Sequence, residues 1–262
     1  MYKIPANTLF MGKNLVFVPE CPSTNTLALE ISQQSPVKEG TVVITDHQTA
    51  GKGQRGNTWD TQPQLNLTFS LILKPDFLAV NKQFYLNIVI CLALKDYLMA
   101  KISDTVYIKW PNDILVHEKK ISGVLIENQL QGHAITNTVA GIGLNINQKN
   151  FPVATATSLS LITGDHYDLG EELPLILGCI EARYLQARAE FSGSHPRGGE
   201  SSRQSLLNLY LESLYRRHEK SLFAANGERF EGVIQDIDEW GKLRIQSEEG
   251  IKVFGVKEIR YI

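Results

Sequence analysis

The residues with chemical reach fall in four short segments. Gly51-Lys52-Gly53-Gln54-Arg55-Gly56 is a literal G-x-G-x-x-G that carries two cations and is soon followed by Trp59. Such a loop can wrap an anion, most simply a phosphate, with its backbone N–H groups. Lys109-Trp110-Pro111-Asn112-Asp113 sets two short polar side chains at a tight turn, with Trp110 held extended by the proline after it. Lys120-Ile121-Ser122-Gly123 offers a cation that can run along a sheet face toward a phosphate, while Gly123 lets a ligand approach the backbone. Gly141-Ile142-Gly143-Leu144-Asn145-Ile146-Asn147 combines glycines, which make room, with asparagines, which supply amide donors and acceptors. Each segment also has a plain structural reading: a surface turn, a hairpin with a buried Trp, a solvated Lys119-Lys120 pair and a strand bend.

The first segment invites a dinucleotide reading, since it follows a strand and Asp76 stands at about the spacing of a ribose-binding acid. That motif needs a helix opening at its third glycine. Here Asn57-Thr58-Trp59-Asp60 and Pro63 lead into a strand instead, so the context excludes a Rossmann turn and leaves a ligand loop between strands.

The elements that must hold these segments are legible in outline. Residues 14–19 read as a strand, and Ser23-Thr24-Asn25 cap a helix carrying Leu27, Ala28 and Ile31. Strands are expected at 41–45 and 65–73, a mostly buried helix at 82–101, and an antiparallel meander through 106–110, 114–117, 121–128 and 134–143. Helical periodicity returns at 171–191 and 202–220, separated by a Gly/Ser/Pro segment over 192–202 read as a mobile loop. From Phe230 the pattern changes to short strands. The expected class is α+β, a mixed or antiparallel sheet domain over residues 1–221 followed by a small β-barrel over 222–262.

Composition narrows the function. Lys+Arg 26 against Asp+Glu 28 gives a net charge of −2 with no block of like charge, so bulk electrostatics points to neither nucleic acid nor an anionic membrane. Cys21, Cys91 and Cys179 are odd in number and far apart, which argues against a disulfide framework or a zinc ribbon and fits a reducing cytoplasm. The stretch Phe84 to Leu94 falls well short of the ~20 residues a spanning helix needs, so no membrane segment is expected.

Ser23-Thr24-Asn25, AGKGQRGNTW (50–59), KWPND (109–113), KISGVLIE (120–127) and GIGLNIN (141–147), in this order and at these spacings, resemble biotin protein ligase. The tail from 222 resembles that family's SH3-like C-terminal barrel. The resemblance implies a class II synthetase-like catalytic fold and a two-step reaction. Biotin and ATP give biotinyl-5′-AMP and pyrophosphate, with Mg²⁺ as the usual metal, and a lysine of a biotin carboxyl carrier protein then takes the biotinyl group.

The same resemblance implies roles by motif position. Lys120, Asp113 and Arg55 would be catalytic. Ser23, Thr24, Asn25 and Gln48 would bind biotin, with Gly51, Lys52 and Gly53 closing over it, Lys120 at its carboxylate, and Gly123, Gly141 and Gly143 leaving it space. Lys52, Arg55, Trp59, Asn112, Lys120 and Asn145 would hold the nucleotide; the metal ligands stay unassigned. Many members read G-R-G-R where this chain has Gly51-Lys52-Gly53-Gln54, so the phosphate contact is expected from Lys52 or Arg55. Arg244 and Lys252 are the barrel's candidates for phosphate. The ligase-like region begins near residue 14, so no DNA-binding role is expected of a monomer or homodimer. The rival readings are a lipoate or octanoate ligase or transferase of related fold, and a non-catalytic biotin- or nucleotide-sensing module.

Overall fold

A computed structural model describes residues 2–34, 36–132, 134–192 and 205–262; the 192–202 loop expectation falls, apart from Ser192, outside them. The chain runs β1 (Leu15–Cys21), α1 (Thr24–Gln34), β2 (Thr41–Gln48), β3 (Asn66–Leu73), α2 (Tyr85–Met99), β4 (Val106–Lys109), β5 (Asp113–Val116), β6 (Lys119–Gln131) and β7 (Ala134–Asn145). Helices α3 (Leu159–Thr163), α4 (Leu169–Phe191) and α5 (Leu206–Glu212) follow, then β8 (Ser221–Ala225), β9 (Glu228–Ile237), β10 (Leu243–Ser247), β11 (Gly250–Phe254) and β12 (Arg260–Tyr261).

The first seven strands form one mixed sheet in the order β1-β2-β3-β7-β6-β5-β4, with β1 and β2 parallel and every other pair antiparallel. The meander expected from 106 to 143 is its β4–β7 part. Both faces are covered. On one face α1 packs Ala28 against Val43, Ile72 and Val139. On the other, α2, α4 and α5 bury Leu86, Ile90, Ile176, Tyr184 and Tyr210 over the main core. All eight residues of β3 are buried for this reason.

Two expectations are corrected. The helix read over 202–220 stops at Glu212, and Ser213 to Tyr215 turn to pair with the β4 edge, Ile108 N–H donating to the Ser213 carbonyl and Tyr215 N–H to that of Ile108. Edge pairing satisfies backbone groups that helical periodicity alone would have kept in a helix. The C-terminal strands form an open antiparallel sheet, β11-β10-β9-β8-β12, with no pairing of β11 to β12 among the described residues. Its apolar face, with Phe223, Ile234, Leu243 and Ile245, joins the main core, so the first domain covers what a closed barrel would cover with its own strands. Trp110 is buried and its indole N–H donates to the Gly241 carbonyl, a further tie between the two sheets.

Candidate active site

Sheet register assembles the site. Thr68, Gly143, Gly123, Asp113 and Lys109 are successive cross-strand partners over β3, β7, β6, β5 and β4, so they form one row on the α1 side of the sheet. Ser70, Gly141 and Leu125 form the neighbouring row. A cleft of about 780 Å³ opens over these rows.

One end of the cleft is neutral and buried. Ser23, Thr24 and Asn25 sit at the start of α1, each at most 3% exposed. Gln48, at the end of β2, accepts the Thr24 backbone N–H at 2.8 Å and lies 3.2 Å from its hydroxyl. Asn25 donates to the Leu125 carbonyl and to Glu127, and its oxygen occupies the space a Cβ on Gly141 would fill.

The roof is the segment 51–59, a narrow hairpin closed by the Trp59 N–H to Gly51 carbonyl bond at 2.9 Å and turning through a short 3-10 turn, Gln54–Gly56. Lys52 Nζ donates to Thr26 Oγ1 on α1 at 2.9 Å, which latches the roof to the helix. A Cβ on Gly51 would stand 2.2 Å from the Trp59 carbonyl, so only glycine allows the two edges of the hairpin this close. The Trp59 indole rests on Gly143 and Gly123, and its Nε1 is buried without a hydrogen-bond partner.

The other end is basic. Lys120 Nζ lies 2.6 Å from Asp113 Oδ1 and 5.4 Å from the centre of the Trp59 ring. Lys109 stands 5.0 Å over the Tyr261 ring. Burial pushes its ammonium below the usual lysine range, with Asp113 opposing the shift and Arg216 and Lys120 adding to it. Lys257 and Arg260, from the C-terminal segment, complete this end. Asn112 is buried, its amide donating to the Val124 carbonyl, beside the cis peptide Trp110–Pro111.

Of the residues singled out in the sequence, Ser23, Thr24, Asn25, Gln48, Lys52, Gly53, Trp59, Asn112, Asp113, Lys120, Gly123, Gly141 and Gly143 line this one cleft. Gly51, at the base of the roof hairpin, is not among the lining residues. Arg55 is in its 3-10 turn, and its side chain is outside the described structure. Asn145 stands apart, its amide donating to the Thr157 carbonyl at 2.9 Å. Arg244 is paired with Asp236 and Lys252 with Glu249, both away from the cleft, whereas Lys257 and Arg260 reach it. Lys109 opened a motif in the sequence without a role; Lys257, Arg260 and Tyr261 gave no local signal at all. Cys21 and Cys91 are buried, and none of the three thiols is among the residues lining the cleft.

A profile of the biotin/lipoate A/B protein ligase family matches residues 17–145. The bifunctional ligase/repressor BirA of Bacillus spizizenii is 33% identical over 252 residues, covering 94% of this chain and 73% of that protein. The biotin–[acetyl-CoA-carboxylase] ligase of Paracoccus denitrificans is 29% identical over 248 residues, covering 90% and 96%. Among solved structures, a biotin protein ligase from Aquifex aeolicus in complex with biotin and ATP aligns with a TM-score of 0.74 and 28% identity over 95% of this chain and 99% of that one. The chain belongs to the biotin protein ligase family.

Proposed function

We infer that this protein is an ATP-dependent ligase that activates biotin as biotinyl-5′-AMP and transfers it to a lysine of a biotin carboxyl carrier protein. The observation that carries the reading is the polarity of this cleft. A neutral hydrogen-bonding floor at Thr24, Asn25 and Gln48 suits the ureido ring, and the basic end at Lys109, Lys120, Lys257 and Arg260 suits a triphosphate.

In the first step a biotin carboxylate oxygen attacks the α-phosphorus and the bond to pyrophosphate breaks, its electron pair leaving on pyrophosphate. Lys120 stabilises the negative charge that builds on the non-bridging oxygens, exchanging Asp113 for phosphate. In the second step the neutral amine of the carrier lysine attacks the acyl carbon and AMP leaves. Asp113, beside Lys120 in the cleft, draws the incoming ammonium into place before it loses its proton.

Asp113 is the single carboxylate among the described residues lining the cleft, and no cluster of three metal-ligating side chains occurs among the described residues. That donor set fits a Mg²⁺ carried in on the nucleotide, held by Asp113 and phosphate oxygens. Bound there, it would neutralise phosphate charge. In this reading residues 1–221 carry the chemistry and 222–262 close the nucleotide end. No helix among the described residues is long and apolar enough to cross a membrane.

The test is exchange of labelled pyrophosphate into ATP with biotin, lipoate and octanoate run in parallel. Exchange with biotin alone is expected. Exchange with lipoate or octanoate instead would move the protein to the other branch of its family, and none with any acid would favour a sensing module.

A further inference from the structure

Beneath the neutral floor of the cleft lie two residues that do not line it, Ser70 on β3 and Glu127 on β6. Ser70 is fully buried and sits beside Gly141, its cross-strand partner on β7. Its hydroxyl lies 2.6 Å from Asn25 Oδ1 and 2.8 Å from Thr24 Oγ1. Glu127 Oε2 accepts from Asn25 Nδ2 at 2.8 Å, and the Leu125 carbonyl accepts from the same nitrogen at 3.2 Å.

Counting protons fixes the direction of the bonds at Asn25 and Ser70 and turns the Thr24 proton inward. A backbone carbonyl only accepts, so the Asn25 nitrogen must face β6, and both of its protons are used there. The Asn25 oxygen therefore faces Ser70. It cannot donate, so the one Ser70 proton goes to it. The Ser70–Thr24 contact must then be carried by the Thr24 proton, which has only Ser70 and the Gln48 oxygen as outlets. Gln48 is oriented by the Thr24 backbone N–H on its oxygen, leaving its nitrogen beside Gly51. At Thr24 and Asn25 the cleft is left with oxygen lone pairs and no free proton, and at Gln48 with N–H groups.

We propose that Ser70 and Glu127 are positioning residues that fix this proton direction, so that the site takes a head group presenting two N–H donors and one carbonyl and rejects acyl chains that have none. The inference deepens the ligase reading and rests on it. A cyclic urea matches the pattern group for group. An alkyl chain or a dithiolane would strip water from two buried acceptors and return nothing, the kind of mismatch by which enzymes discriminate most strongly.

The experiment is biotin-dependent pyrophosphate exchange by the full chain, with octanoate as the competing acid, for the wild type, Ser70→Ala, Glu127→Met and Glu127→Gln. Glu127→Met removes the acceptor while keeping the length of the side chain; Glu127→Gln can still accept through its amide oxygen. Ser70→Ala and Glu127→Met should each raise the KM for biotin about tenfold, the size of one hydrogen bond lost from a buried network. The kcat should stay within about threefold, the biotin-over-octanoate ratio should fall, and Glu127→Gln should remain near wild type. A purely structural role would lower the melting temperature and leave the KM and the ratio alone. Should Ser70→Ala not fold, the two Glu127 variants decide. An unchanged biotin KM in Glu127→Met, or equal impairment in Glu127→Gln, overturns the proposal. A wild type without biotin-dependent exchange overturns the ligase reading itself, and the proposal falls with it.

Discussion

The Lys120 ammonium and the Asp113 carboxylate stand 2.6 Å apart, and both are partly open to the cleft. The pair keeps the cation proposed to meet phosphate poised without burying an unpaired charge. Replacing Lys120 with alanine should lower the rate of adenylate formation by roughly 10²–10³, on the scale of a lost oxyanion donor. Biotin binding measured by calorimetry should change far less. Equal losses in the two measurements would mean that Lys120 acts in binding alone.

Lys109 gives a pH prediction. Its folded-state pKa is depressed by burial. Between that value and the usual lysine value the unfolded chain holds more protons than the folded one, so this residue makes stability rise with pH across that window. Lys109→Met should therefore melt at or above the wild-type temperature near neutral pH, with wild type catching up as the pH approaches the lysine range. The same variant should raise the KM for ATP, because a cation has left the basic end. A stability difference that does not vary with pH would contradict the assignment.

Gly143 supports the Trp59 ring. A Cβ there would stand 2.2 to 2.5 Å from three indole atoms, so Gly143→Ala must lift the ring off the sheet. Exchange activity should fall at least tenfold while the melting temperature moves little, since the ring belongs to a roof segment and not to the core. Adding Trp59→Ala to Gly143→Ala should cost no more than Trp59→Ala by itself, because both changes remove one contact. Additive losses would place Gly143 in some other role.

The roof should also report ligand binding. Lys52, Gly56 and Asn57 are exposed, and Lys52 holds α1 through one hydrogen bond. Trypsin should cut at Lys52 or Arg55 in the free protein and be suppressed by biotin plus ATP. Lys52→Arg, which restores a forked donor, should slow the escape of free biotinyl-AMP. Identical cutting in both states, or identical escape rates, would count against this closure.

The site was legible in the sequence where one motif supplies both a side chain and the backbone that aims it, as at residues 51–59 and 109–113. It was less legible where strand register decides. Lys120 and Gly123 are three residues apart, which in a regular strand puts them on opposite faces. A bulge at Ile121, where the β5 pairing jumps from Ser122 to Lys120, turns both to the same side, and a Cβ on Gly123 would lie 3.2 Å from Lys120 Nζ. Asn145, to which the family resemblance assigned a nucleotide contact, donates its amide to the Thr157 carbonyl of a neighbouring loop.

By itself the sequence determined most strands and helices up to residue 143, the antiparallel meander, the α+β class and the segments that meet at the cleft, because hydrophobic period, capping residues and turn glycines act over a few residues. It missed α3 and β8. The tertiary structure decided what depends on residues distant along the chain. It turned Ser213 to Tyr215 from helix to sheet edge and left the C-terminal sheet open against the main core. It brought Lys257 and Arg260 to the cleft in place of Arg244 and Lys252, and it set the proton direction of Thr24 and Asn25 through Ser70 and Glu127. These outcomes follow from pairing and burial between elements up to some two hundred residues apart, and no local pattern carries that information.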